Sequence, residues 1–293
     1  MELIYIMALF KRIWRLQIQI NDIIKTYQEL DYKDTSLKID FDVTNGMFGS
    51  FANGNITIYN LNLNDMQYLA TSVSPFGKFK RNRVSLEVGY YGNLGLILSG
   101  NIIEVDADFT SSDTRITLKV TGAIGNNLAN NSIQTNIKGN IEFKNICKEC
   151  AKKNDLNLFY DNKITNRFLS DFSFLGSPFQ MIERLRTYFD DLSIFLSENG
   201  KILNVLLKEN GQVVNTEELS YKTGLIGRIK PTMLGCDVTS FLNINLKAGR
   251  HIKLVNEKLK DYNGIYIINE IKHRGSNFGD AWFSDLKLRR VKG

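Results

Sequence analysis

Residues 223–255 read TGLIGRIKPTMLGCDVTSFLNINLKAGRHIKLV. A Gly-x-x-Gly (Gly224, Gly227) and a Lys230-Pro231 step punctuate the start, where the chain has to turn. The apolar VTSFLNINL follows, and LKAGRHIKLV then reads as a turn feeding a strand. Turns and strands packed this closely describe a small β-barrel. Yet the stretch holds no nucleophile elbow, no phosphate loop and no metal-ligand spacing. Its order has to serve something other than chemistry.

The same grammar continues to the C-terminus, where GIYIINEIKHRG and AWFSDLKLRRV are further strands. At the other end, WRLQIQI (14–20) and LKIDFDV (37–43) alternate with period two, as half-buried strands do, and GNITIYNL (54–61) is another strand. In NLNDMQYLATS, Asn62 can cap a helix and Asp65 favours its first turn. Strands resume at RNRVSLEVGYYG, LGLILSGNIIEVDADF and DTRITLKVTGA, with a corner or bulge expected at Ser99-Gly100.

The middle of the chain changes character. IEFKNICKECAKKN is amphipathic at helical spacing, with Phe143, Ile146, Cys150 and Ala151 on one side. LNLFYD is a short strand. Ser177 is an N-cap with Pro178 at the first helical position, and Phe179, Ile182, Leu185 and Phe189 form the buried stripe of that second helix. In LSIFLSENGKILNVLL, Asn199-Gly200 marks a hairpin turn. The expected architecture is mainly β with an α+β insert: a β-barrel over 1–125, a smaller α/β domain over 126–221 and a second barrel over 222–293. No fixed-length repeat emerges, but two strand-rich units around an insert are what a duplicated module leaves.

Composition is that of an ordinary folded protein: 293 residues, 43% hydrophobic and 23% charged. Three Pro against 22 Gly favours strands and tight turns over disorder. The net charge of +6 is unevenly spread: residues 222–293 carry 14 basic and 6 acidic side chains, a net +8, which leaves −2 for the rest. Such a basic unit suits an acidic protein face, a lipid surface or nucleic acid, or simply solubility. In the opening MELIYIMALFKRIW, Lys11 and Arg12 follow the apolar run and no small-residue cleavage site comes next, so no signal peptide is expected. The run is far short of the ~20 residues of a spanning helix.

Candidate chemistry is sparse. Cys147 and Cys150 form a lone C-x-x-C on a helix, Cys236 stands apart, and zinc would need two more ligands than this motif offers. The two histidines, His251 in a turn-to-strand and His273 at a strand end, lie near no nucleophile signature. The carboxylate pairs Asp190-Asp191, Asp106 with Asp108, and Glu217-Glu218 read as helix ends and solvated faces. GLIGRIKP and NGMFGSFANG lack the Lys-Ser/Thr of a phosphate loop. FGKFKRNRV mixes cations and aromatics, as single-strand nucleic-acid binders do, but fits a helix-to-strand link better. No catalytic, cofactor-binding or metal-binding residue is expected, and no cofactor.

The layout resembles the baseplate hub proteins of bacteriophages, the late-control D proteins and their type VI spike-head kin. ANGNITIYNLNLNDMQYLA is similar to their first barrel, where a strand ending in IYNL enters a short helix. VSLEVGYYGNLGLILSGNIIEVDADFTSSDTRITLKVTGA continues the match, FSFLGSPFQMIERL resembles the mid-region helix, and 223–255 with GIYIINEIKHRGSNFGDAWFSDLKL resembles the second barrel. The resemblance implies a non-enzymatic, structural role in the virion tail baseplate of a protein made in the host cytoplasm. It implies a homotrimer whose two tube-like barrels per chain imitate a six-fold ring, joining the tail tube or its initiator to a separate three-fold spike. A tape measure protein is a further partner, DNA only passes through the channel, and the tail is expected to be contractile. The other classes kept open are a cell-wall binding or degrading tail component and a nucleic-acid-binding β-protein.

Overall fold

The computed structural model describes residues 11–31, 37–47, 52–71, 73, 82–122, 132–197 and 199–291. The opening MELIYIMALF and most of the FGKFKRNRV segment lie outside that set, as does the side chain of Phe179.

The N-terminal part contains β1 (Arg12–Ile20), β2 (Ile23–Glu29), β3 (Ile39–Gly46), β4 (Asn53–Tyr59), α1 (Leu63–Ala70), β5 (Asn82–Tyr90), β6 (Asn93–Asp108) and β7 (Arg115–Gly122). Period-two alternation decides which faces are buried. Trp14, Leu16, Ile18 and Ile20 of β1, Ile39, Phe41 and Val43 of β3, and Ile116, Leu118 and Val120 of β7 converge on one core. Each such side chain contributes about 1.5–3 kcal/mol on burial. Asn62 caps α1 as its sequence predicts, its Oδ1 accepting from the Asp65 N–H at 2.8 Å. Met66 and Leu69 then seat the helix on the core.

The middle part runs β8 (Ile133–Glu142), α2 (Phe143–Lys153), β9 (Asn157–Tyr160), β10 (Phe168–Gly176), α3 (Pro178–Arg186), β11 (Leu192–Leu196) and β12 (Ile202–Leu207). β8 pairs β10, and β9, β12 and β11 form a small sheet. Phe143, Ile146, Cys150, Ile182 and Leu185 share a second core with Val205, while Phe189 packs partly buried against it. Ser177 and Gln180 form a reciprocal capping box at the start of α3. The Asn199-Gly200 turn is wider than a two-residue hairpin. The last strand pair is Leu196 with Leu203, Gly200 alone among the described turn residues takes positive φ (63°), and Asn199 Oδ1 accepts from the Lys201 N–H at 3.0 Å.

The C-terminal part comprises β13 (Gln212–Leu219), β14 (Leu225–Pro231), β15 (Gly235–Phe241), β16 (Arg250–Leu254), β17 (Gly264–Ser276) and β18 (Trp282–Arg290). A third core gathers Leu225, Val238, Ile252, Tyr266, Ile268, Leu286 and their neighbours.

The fold is mainly β, as expected, but the two closed barrels are not found among the described residues. The strands of the N- and C-terminal parts form one open 13-stranded sheet ordered β14-β15-β18-β17-β3-β4-β7-β6-β5-β1-β2, with β16 beside β17 and β13 beside β16. It is antiparallel except where β13 meets β16. The physical reason for the open order is β17. Its first residues pair with β16, its last seven pair with β3, and a strand shared this way joins two sheets instead of closing one. The corner in β6 also differs from expectation. Its bulges fall at Ile97 and Ile103, on either side of Ser99-Gly100. Gly100 marks instead a close crossing, since a Cβ there would lie 2.1 Å from the Thr121 carbonyl oxygen.

Candidate assembly interface

The junction of β17 with β3 is the most heavily built contact between distant parts of the chain. Glu270–Ser276 run antiparallel to Gly46–Asp40. Beyond one end of the ladder the Met47 N–H donates to the Asn269 carbonyl at 2.8 Å; beyond the other, the Ile39 N–H donates to Asn277 Oδ1 at 2.9 Å. Lys272 Nζ meets Asp42 Oδ2 at 2.6 Å. Side chains also cross. Trp282 and Leu242 of the C-terminal part lie in the N-terminal core, where the Trp282 ring stands edge-on to Phe41 at 5.1 Å between centroids. In return Met47, 0% exposed, sits in the C-terminal core. Arg12 on β1 closes the contact, donating to the Ser276 carbonyl at 2.7 Å with its guanidinium 5.5 Å from the Trp282 ring centroid.

The two parts joined here repeat one another. The order β3-β4-β7-β6-β5 recurs as β14-β15-β18-β17-β16, so first, second, fifth, fourth and third strands are neighbours both times. The registers agree as well. β6 bulges against β7 just before Glu104, which faces Lys119 and pairs with it at 3.0 Å. β17 bulges against β18 just before Glu270, which faces Lys287 and pairs with it at 2.9 Å. Past the bulges, Val105 faces Leu118 as Ile271 faces Leu286. One strand over, Ile56 faces Leu118 as Val238 faces Leu286. Thr57 and Thr117 share a hydroxyl hydrogen bond of 2.9 Å where Thr239 donates to Asp285 at 2.7 Å. The two Glu–Lys pairs are exposed and contribute little energy. Their meaning lies in the register they mark. Loops of unequal length separate the strands, so the repeat has no fixed period in sequence.

The residues weighed for chemistry lie in different parts of the fold. Cys147 and Cys150 face the core of the middle part, where burial raises the Cys150 thiol to about 12 and that of Cys147 well above its usual value. Burial raises Cys236, in β15, to about 11. A reactive thiolate needs the opposite shift. His251 directs Nε2 at the Asn210 carbonyl. His273 lies inside β17, not at its end, with Nδ1 2.9 Å from Ser284 Oγ; burial, and then the Lys247 charge, depress its pKa to about 4. Asp191 is paired with Arg167, Glu218 with Lys253 at 3.1 Å, and Glu217 accepts from Asn243 at 3.1 Å. Asp108 accepts from the Thr110 N–H, Thr110 Oγ1 and Ser111 Oγ, which holds its carboxyl well below the usual range, while Asp106 is exposed. Among the described residues no group of three or more His, Cys, Asp or Glu is placed to hold a metal, and no helix is long and apolar enough to cross a membrane. What sequence reading missed is the junction itself. Its only local trace is IIEV and LKV (102–105, 118–120) recurring as INEI and LKL (268–271, 286–288).

The architecture is thus a mainly antiparallel sheet built from a repeated five-strand unit, with a core under each copy. The family described as Baseplate hub gp41 matches residues 16–286, and the chain belongs to it. Its members are structural components of the tail baseplate, which implies a place in the virion tail. In fold, the chain is similar to the 43 kDa tail protein of prophage MuSo2 from Shewanella oneidensis: TM-score 0.61, 10% identity, covering 95% of this chain and 98% of that one. The tail protein of Neisseria meningitidis MC58 gives TM-score 0.60 at 12% identity, covering 94% and 96%. The c3393 protein of E. coli gives TM-score 0.60 at 9% identity, covering 94% and 77%. That protein is described as a component of the type VI secretion system, structurally similar to the T4 tail proteins gp27 and gp5. No curated protein matches the chain in sequence.

Proposed function

We propose that this chain is a trimeric, non-enzymatic symmetry adaptor of the baseplate, joining a six-fold tail tube to a three-fold central spike carried by a separate protein. The observation that carries the reading is the five-strand order found twice in one polypeptide. Three chains then present six similar units in a closed, head-to-tail ring. The units are taken as 1–125 and 222–293, each tube-like, with 126–221 as the α+β insert, although β13 pairs with β16 of the last unit. The faces of the ring meet the tube or its initiator on one side and the spike on the other, with the tape measure and DNA confined to the channel of a contractile tail.

The test is removal of the chain from a particle-producing host, with the purified chain assayed on cell walls in parallel. Tubes and spikes that accumulate unjoined, with no clearing by the chain in a wall zymogram, are the expected result. Joined particles, or a zone of clearing, point to the alternative of a cell-wall binding or degrading component.

A further inference from the structure

The internal repeat leaves one half of a contact unfilled. Within the chain, the last residues of β17 pair with β3. The counterpart of β17 is β6 and the counterpart of β3 is β14, by strand order and register alike. Among the described residues β14 pairs only with β15, and β6 beyond Asn101 pairs only with β7. We propose that β14 of one copy adds antiparallel to residues 104–108 of β6 in the next copy, in the register that β3 and β17 show within the chain. The proposal rests on the ring reading above and assigns its second contact.

The register can be carried over residue by residue. Lys230 faces Asp237 as Asp42 faces Asn55, so Lys230 takes the place of Asp42. Asp106 takes the place of Lys272, two residues past the bulge-flanking glutamate in each strand. Asp106 then stands opposite Thr232, as Lys272 stands opposite Thr44, and Asp108 stands opposite Lys230, as Arg274 stands opposite Asp42. The ion pair of Lys272 with Asp42 reappears between copies as Asp106 with Lys230, its polarity inverted.

Charge also decides who pairs with whom. The free edge of β6 offers Glu104, Asp106 and Asp108, and β14 offers Arg228 and Lys230. Two β14 edges repel each other, as do two β6 edges; only the mixed pairing is complementary, and it is the head-to-tail one. Both contacts thus set acids of the first unit against bases of the last. Pro231 blunts β14 against indiscriminate strand addition, having no N–H to donate. Apolar surface agrees. Met47, at the end of β3, is fully buried by the other unit, whereas Met233 and Leu234, just past β14, are 104% and 66% exposed. Ile103, the bulge residue equivalent to Asn269, is 50% exposed. The proposed contact covers all three.

The test pairs cysteine cross-linking with charge exchange in the full-length chain. Cys147, Cys150 and Cys236 are buried and stay out of reach of a mild oxidant. Asp106→Cys with Thr232→Cys is expected to give covalent dimers and trimers on oxidation, and Asp106→Cys with Arg228→Cys, out of register, far fewer. Asp106→Lys or Lys230→Asp alone weakens self-association about tenfold or more, and the two together restore most of it. A trimer in the native mass spectrum without in-register cross-links, and indifferent to the reversals, overturns this contact and leaves the trimer standing. A monomer at every concentration, with no cross-links, overturns both.

Discussion

Replacing Trp282 by Ala is expected to cost about 3–5 kcal/mol and to weaken the N-terminal core, although the residue belongs to the last strand of the chain. Its ring is 1% exposed and lies among Phe41, Val43 and the rest of that core, with a further about 0.5–1.5 kcal/mol from the edge-on contact with Phe41. Gly275, on the strand opposite, has no side chain, and a Cβ there would fall 2.4 Å from the Phe41 ring and 2.7 Å from Trp282. Against a net stability of about 5–15 kcal/mol, such a loss leaves a marginal fold. Urea unfolding read by circular dichroism measures it. The neighbouring Phe283→Ala, on the other face of β18, is expected to cost about 1 kcal/mol. Equal midpoints for Trp282→Ala and wild type would show that the two cores are not coupled through this residue.

Stability should also fall by about 3 kcal/mol as the pH drops from 6.5 towards 4, through His273 alone. The sign follows from where the proton binds. In the fold the imidazole is buried and its pKa is lowered to about 4, so it stays neutral, while in the unfolded chain it titrates near its ordinary value of 6.5. Above 6.5 neither state binds the proton and the contribution is fully present. Below it the unfolded state is favoured by about 1.4 kcal/mol per pH unit until the folded imidazole also protonates. Burial, reinforced by the Lys247 charge, opposes a charge on His273 and outweighs Asp285, which favours one. The carboxylates held low, Asp65 and Asp285, act further down the scale, where acid overcomes their hydrogen bonds and cations. His273→Gln removes the imidazole, so its unfolding free energy should change far less over that window. Parallel slopes for variant and wild type would assign the effect elsewhere.

Much of the scaffold was legible because burial writes a period into the strands. β1, β3, β4 and β7 alternate cleanly, and Asn62 and Ser177 announce their helices by local hydrogen-bonding chemistry. β2 was not legible: IIKTYQE sits at the sheet edge with Ile23 and Ile24 turned to solvent, so its pattern carries no inward face. Among the described strands β8 and β10 pair only with each other; β8 is largely polar, and β10, though rich in Phe and Leu, buries only Phe172, which removes the same signal. Closure into barrels, which the described residues do not show, was not legible for a related reason. Alternation specifies which face is buried and says nothing of which edge a strand will choose, and β17 chose β3 across more than half the chain. In sequence the candidate interface left only a charge imbalance and the recurrence of IIEV as INEI, until that pairing set Asp42 against Lys272.

The account turns on two like units per chain standing in place of six subunits, and an electron cryomicroscopy reconstruction of the hub within its particle tests that most directly. It should resolve three chains around the axis, with β17–β3 contacts inside chains alternating with β14–β6 contacts between them. Six chains around the axis, or a wall to which each chain lends only one of its units, would contradict it.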